Sequence, residues 1–174
     1  MIRKAKETDL QKVAEIYERI HDREEKGQMS IGWVRGIYPT IETARMALSM
    51  DDLFVEDVDG VIVSAGRINQ EQVPEYADAA WECSADPTEV MVLHTLVVDP
   101  KEAGKGYGSS FVAFYETYAR EHGCPYLRMD TNAKNEKARR MYQRLGYREA
   151  DIVPCVFNGI DGVQLVCLEK ILKS

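Results

Sequence analysis

Val97-Val98-Asp99-Pro100-Lys101-Glu102-Ala103-Gly104-Lys105-Gly106-Tyr107-Gly108-Ser109-Ser110 runs an apolar strand through a glycine-rich turn into a helix, an order that predicts an anion cradle. Gly104, Gly106 and Gly108 leave backbone N–H groups unshielded. A helix expected from about Lys105 to His122 aims its positive dipole end and its unpaired donors at the same point. A phosphate or pyrophosphate belongs there. Two familiar cradles fail on spacing. A Walker loop needs Gly-x4-Gly-Lys-Ser/Thr, but Gly104-Lys105 is followed by Gly106 and position 99 is Asp; a dinucleotide fingerprint from Gly104 and Gly106 needs glycine where Ser109 stands.

A second block lies downstream: Asn135, Ala138 and Tyr142, then the exit Leu145-Gly146-Tyr147. On a helix, positions seven apart return to nearly the same angle, so Asn135 and Tyr142 share one face with Ala138 and Arg139 between them. The loop and this block together resemble the GNAT superfamily of acyl-CoA N-acyltransferases. The resemblance extends to the opening Met1-Ile2-Arg3-Lys4-Ala5 with Thr8-Asp9, so it covers nearly the whole chain. It implies acetyl-CoA as cofactor, with Ala103, Gly104, Lys105, Gly106, Tyr107, Gly108 and Ser109 around the pyrophosphate. It further implies Leu96, Val97 and Val98 as a splayed strand whose backbone pairs with the pantetheine arm, together with Asn135 and Ala138. Tyr142 would stand by the sulfur and protonate the departing thiolate. Read from spacing alone, Tyr142 is equally a packed core aromatic and Asn135 an N-cap. The family's loop begins with Gln or Arg where this chain has Ala103, which removes one side-chain contact; Lys101 and Lys105 are near enough in sequence to supply charge.

The chain has 174 residues, 45% of them hydrophobic, enough for one core and one domain, 1–174. A net charge of -7 offers no basic stripe for nucleic acid and suits a cationic substrate better, although such charge also serves solubility alone. Cys83, Cys124, Cys155 and Cys167 are widely spaced with no CxxC pair, so neither a zinc site nor a disulfide framework is expected. No apolar run approaches membrane-spanning length and no apolar leader opens the chain, which together predict a cytoplasmic protein.

Periodicity predicts the order β-α-α-β-β-β-α-β-α-β-β. A strand at Ile2–Ala5 precedes a helix capped by Thr8 or Asp9 and running to about Glu25. Thr40 caps a second helix, ended by Asp51-Asp52. Leu53–Val58 and Val61–Asn69 flank the hairpin signal Asp59-Gly60. Glu89–Val98 and Tyr126–Thr131 are strands, with the glycine-loop helix between them. Asn135–Leu145 is the last helix, and Tyr147–Phe157 with Val163–Leu172 closes as a hairpin across Asn158-Gly159 to Gly162. A helix crossing between two strands implies a parallel pair, and the hairpins imply antiparallel ones. The fold class is therefore mixed α/β with a mainly antiparallel sheet, as the resemblance also implies. Oligomeric state is left open by the sequence, although the last hairpin offers an edge with which a second copy could pair as a homodimer.

A lysine-like acceptor amine lies about 3.4 units above pH 7, so holding it neutral costs roughly 4.6 kcal/mol, and a base is expected. His94, two residues before Leu96 and hence on the same strand face, is the first candidate; a hydrogen-bonded core histidine is the other reading. Glu71, Glu82 and Glu89 flank the long polar segment Gln70–Thr88, which reads as an active-site loop, and could act through water. Trp33, Tyr38, Tyr76 and Trp81 are read as walls of an acceptor site, or else as covers of the core. The expected activity is N-acetyl transfer from acetyl-CoA to a small-molecule or protein amine by direct attack, with no metal. The rival reading is an acyl-CoA-binding sensor without turnover.

Overall fold

A computed structural model describes residues 1–173. Seven strands form one sheet in the order β1-β2-β3-β4-β5-β7-β6. They are β1 (Ile2–Lys4), β2 (Leu53–Val58), β3 (Val61–Asn69), β4 (Val90–Val98), β5 (Tyr126–Asn132), β6 (Arg148–Phe157) and β7 (Ile160–Ile171), with helices α1 (Leu10–Glu25), α2 (Ile41–Ser49), α3 (Tyr107–Glu121) and α4 (Glu136–Arg144). Every pairing is antiparallel except β4 with β5, which α3 joins. The element order and sheet class are those expected from the sequence.

Alternation along β4 divides the core. Met91 and Leu93 pack with Phe111 and Tyr115 of α3, whereas Val90 and Val92 pack on the opposite face with Tyr76 and Leu165. That second face is shared with α1 and α2, whose Val13, Ile16, Ile20 and Ala44 bury against Leu53, Val55 and Val97. Each stripe falls at helical spacing, which is why the helices lie flat on the sheet.

Two irregularities create the site. The β4–β5 ladder runs from Val90↔Tyr126 to Leu93↔Met129 and stops, so the strands splay beyond Leu93. On its other edge β4 bulges, with Ala65↔Val97 and Arg67↔His94 setting three residues of β4 against two of β3. Thr95, in the bulge, has φ +53°, an uncommon conformation for a β-branched residue.

Three local expectations need correction. Asp9 does not cap α1 by its side chain; its carboxylate accepts from Lys6 N at 2.8 Å and ion-pairs with Arg3 at 2.7 Å. The final turn is Asn158-Gly159 alone, because both residues adopt positive φ and β7 resumes pairing at once through Phe157↔Ile160. The segment 70–89 is not an open loop: two 3-10 turns, Pro74–Asp78 and Pro87–Glu89, fold it down over β4 and β5.

Candidate active site

A cavity of about 730 Å³ opens where β4 and β5 part, and it runs from the glycine loop to the β6–β7 hairpin. At the loop end, Asp99 opens a short turn by accepting from Lys101 N at 3.0 Å, and it is itself held by Arg19 at 2.8 Å. The chain then passes Gly104 (φ +81°) and Gly106 (φ +82°), the latter being the N-cap of α3. A Cβ at either glycine would meet nothing within 4 Å, so both backbones face open space. The left-handed conformation and the bare approach both call for glycine here.

Leu96, Val97, Val98, Ala103, Gly104, Gly106, Tyr107, Gly108 and Ser109 all line the cavity. Lys101 and Lys105 do not, and the Lys105 ammonium is paired with Glu102. The charge expected of these two lysines is absent from the lining. Sequence reasoning missed its replacement: Lys137, Arg140 and Arg144, spaced three and four apart on α4, stand in the lining instead. Met141 brings this helix to the loop, since a Cβ on Gly108 would lie 3.1 Å from its sulfur.

Asn135 caps α4, its Oδ1 accepting from Ala138 N at 3.2 Å. It also lines the cavity with Ala138 and Tyr142. Tyr142 is buried and edges onto Tyr147 with ring centroids 6.0 Å apart. Its hydroxyl has no protein hydrogen-bond partner among the described residues, and burial keeps its pKa above the ordinary phenol value, so the proton stays on it at neutral pH. Opposite, β4 beyond Leu93 has no ladder partner on the β5 side, which leaves backbone groups of Leu96 to Val98 turned toward the split.

At the far end, Trp33 and Tyr38 line the cavity, edge to face with centroids 5.9 Å apart. The Tyr38 hydroxyl bonds Thr95 Oγ1, pinning the bulge. Tyr76 and Trp81 do not line it. Tyr76 is core, and Trp81 meets it edge to face and lies under the Arg128 guanidinium, 4.3 Å from its centroid, because the segment 70–89 folds inward. His94 is also misplaced by alternation. The bulge shifts the parity of β4, so Leu96 joins the α3 face and His94 points the other way. There its Nε2 bonds Asn69 Oδ1 at 2.8 Å; burial and the nearby Arg67 lower its pKa to about 4. Glu71, Glu82 and Glu89 likewise lie outside the lining.

Two carboxylates do reach the cavity: Glu102 on the glycine loop, paired with Lys105, and Asp130, at the first β5 position past the last β4 pairing. Asp130 accepts from the Tyr76 hydroxyl at 2.6 Å. Burial raises its pKa to about 6 against the lowering effect of that bond. Within the sequence it is one more polar residue of a strand; its signal is the adjacency of the split, which only the fold supplies.

Residues 12–147 match the acetyltransferase (GNAT) family. The chain belongs to that family. An uncharacterised N-acetyltransferase of Methanocaldococcus jannaschii is 29% identical over 102 residues, covering 58% of this chain and 44% of the relative. YhfO, an uncharacterised N-acetyltransferase of Bacillus subtilis, is 33% identical over 60 residues, 34% of this chain and 40% of the relative. Each match thus spans less than half of the relative's length. A GNAT-family acetyltransferase of Streptococcus agalactiae superposes with TM-score 0.82 at 20% identity, over 100% of this chain and 96% of that one. A Salmonella typhimurium structure with its cofactor acetyl-CoA gives 0.69 at 17% identity, over 100% and 94%. A ribosomal-protein-alanine N-acetyltransferase of Brucella melitensis gives 0.72 at 18% identity, over 99% of each chain. At these identities the structural likeness is one of fold. Among the described residues no helix is long and apolar enough to cross a membrane.

Proposed function

We propose that this chain is a single N-acetyltransferase domain that transfers the acetyl group of acetyl-CoA to a primary amine by direct attack in a ternary complex. The observation that carries this reading is the continuity of one cavity from the glycine cradle, along the unpaired end of β4, to Tyr142 and on to a second arm between the α1–α2 connection and the β6–β7 hairpin. Acetyl-CoA supplies the activated thioester and is consumed as a substrate. The backbone donors at Gly104 to Ser109 and the cations of Lys137, Arg140 and Arg144 hold its phosphates. The pantetheine amides add to the free edge of β4 as a strand would. A backbone N–H among Leu96 to Val98 faces the oxygen that becomes negative during attack. Tyr142, kept protonated by burial, gives its proton to the leaving sulfur.

The test is a calorimetric titration with acetyl-CoA followed by a primary-amine library read by release of free thiol. Micromolar acetyl-CoA binding with thiol release that depends on an amine is the expected result. Binding without turnover of any amine would favour an acyl-CoA sensor, and absence of binding would refute the cradle assignment.

A further inference from the structure

The second arm of the cavity has a lining unlike the first. Its walls come from the α1–α2 connection (Met29, Ile31, Trp33, Tyr38) and from the β6–β7 hairpin (Phe157, Ile160), with Thr131, Asn132 and Asn158 adding uncharged polar groups. The charged lining residues divide sharply. Glu102 stands on the glycine loop and Lys137, Arg140 and Arg144 stand on α4, which leaves Asp130, among the described residues, as the one charged lining residue on the strands. The arm is also roofed. A Cβ on Gly159 would come within 3.3 Å of Ile37, and one on Gly32 would collide with Asn132 at 2.4 Å, so the α1–α2 connection closes over the hairpin turn and the end of β5.

We propose that this arm binds a small primary amine with an uncharged, apolar or aryl body, whose ammonium ion-pairs with Asp130 and gives it the proton that must leave before attack. The proposal rests on the transferase reading above and specifies its acceptor. An ammonium entering the arm finds one carboxylate and aromatic faces from Trp33 and Tyr38. An α-amino acid would bring a carboxylate that meets no Lys or Arg on these walls, and a polyamine a second cation without a second carboxylate; either leaves a charge desolvated and unpaired. The roof excludes a bulky chain. The free ammonium and acetyl-CoA yield the amide, free CoA thiol and one proton: Asp130 carries one amine proton to solvent, and the other balances the thiolate through Tyr142.

Asp130 suits that duty. The titratable groups that face it are Tyr76 and Glu75 from the segment over β5, Tyr38 from the α1–α2 connection, Tyr142 on α4, Cys155 on β6 and Cys167 on β7. The cation on the same face of β5, Arg128, is turned to Gln72 and to the Cys83 carbonyl, and burial raises the Asp130 carboxyl to about 6, so it is ionised and still basic at neutral pH. Tyr76 is the positioning residue, its 2.6 Å bond fixing which oxygen faces the cavity.

The experiment uses the whole chain with acetyl-CoA and a panel of 2-phenylethylamine, hexylamine, phenylalanine, putrescine and an alanine-initiated hexapeptide. Calorimetry with acetyl-CoA alone checks the underlying reading first. The two apolar amines should exceed the other three by at least tenfold in kcat/KM, with an acidic limb near pH 6. Asp130→Asn should lose about a hundredfold, lose that limb, and bind 2-phenylethylamine in the CoA complex at least tenfold more weakly while holding CoA unchanged. Preference for phenylalanine, putrescine or the peptide, or an intact limb in Asp130→Asn, overturns the proposal. Acetyl-CoA binding with no apolar amine turned over overturns it while leaving the cofactor site standing. No acetyl-CoA binding overturns both.

Discussion

Replacing Asp130 by Asn should make the protein more stable at neutral pH. The carboxyl is raised from its usual 3.8 to about 6 chiefly by burial, so the fold disfavours its charged form. At about 1.36 kcal/mol per pKa unit that amounts to about 3 kcal/mol, and solvent access from the cavity reduces it to about 1–2 kcal/mol. The sign follows from the raised value. Relative to an unperturbed carboxyl, the wild-type fold is favoured fully below pH 3.8 and loses that advantage as pH rises through about 6. Asn carries no charge to desolvate and can still accept from the Tyr76 hydroxyl. Asp130→Asn should therefore melt about 2–8 °C higher at pH 8, with the gap closing between pH 6 and pH 4. Differential scanning calorimetry of both proteins at pH 4 and pH 8 reads this directly. A variant no more stable at pH 8, or a gap independent of pH, would refute the claim that the site stores a desolvated carboxylate.

Gly106→Val should weaken CoA binding at least tenfold, about 1.4 kcal/mol, because its side chain would stand in the open space of the cradle at φ +82°; calorimetry on a variant shown by its melt to be folded checks it. Tyr142→Phe keeps the contact with Tyr147 and removes only the donor, so kcat should fall about a hundredfold with CoA affinity little changed; stopped assays of thiol release beside CoA titrations separate the two. His94→Ala should cost about 1–3 kcal/mol of stability by breaking the bond to Asn69 and should leave the acidic limb of kcat/KM in place, since His94 lies off the cavity. A lost limb would return the role of base to His94.

Local chemistry made most of the fold legible. Asp59-Gly60 set the ends of β2 and β3, and Thr40 and Asn135 marked two helix starts, while the helix expected from about Lys105 begins two residues later, at Tyr107. The glycine turn and the place of Tyr142 on α4 were legible for the same reason, since each depends on spacing within one element. What escaped depends on neighbours distant in sequence. The bulge at Thr95 arises from the mismatch of β4 with β3 and the bond from Tyr38, and no residue type announces it; it reversed the face of His94. Tyr76 and Trp81 look alike as wall or core until the segment 70–89 is seen folded onto Arg128. Asp130 owes its high pKa to burial beside Tyr76, 54 positions away, and alternation alone cannot report that.

Direct transfer within one cavity is the central claim, and initial-rate kinetics with acetyl-CoA and 2-phenylethylamine varied against each other test it most directly. With both substrates in place before any bond forms, reciprocal plots should intersect and thiol should appear only when the amine is present. Parallel lines, or a burst of thiol from acetyl-CoA alone, would reveal an acetylated protein side chain and contradict the account.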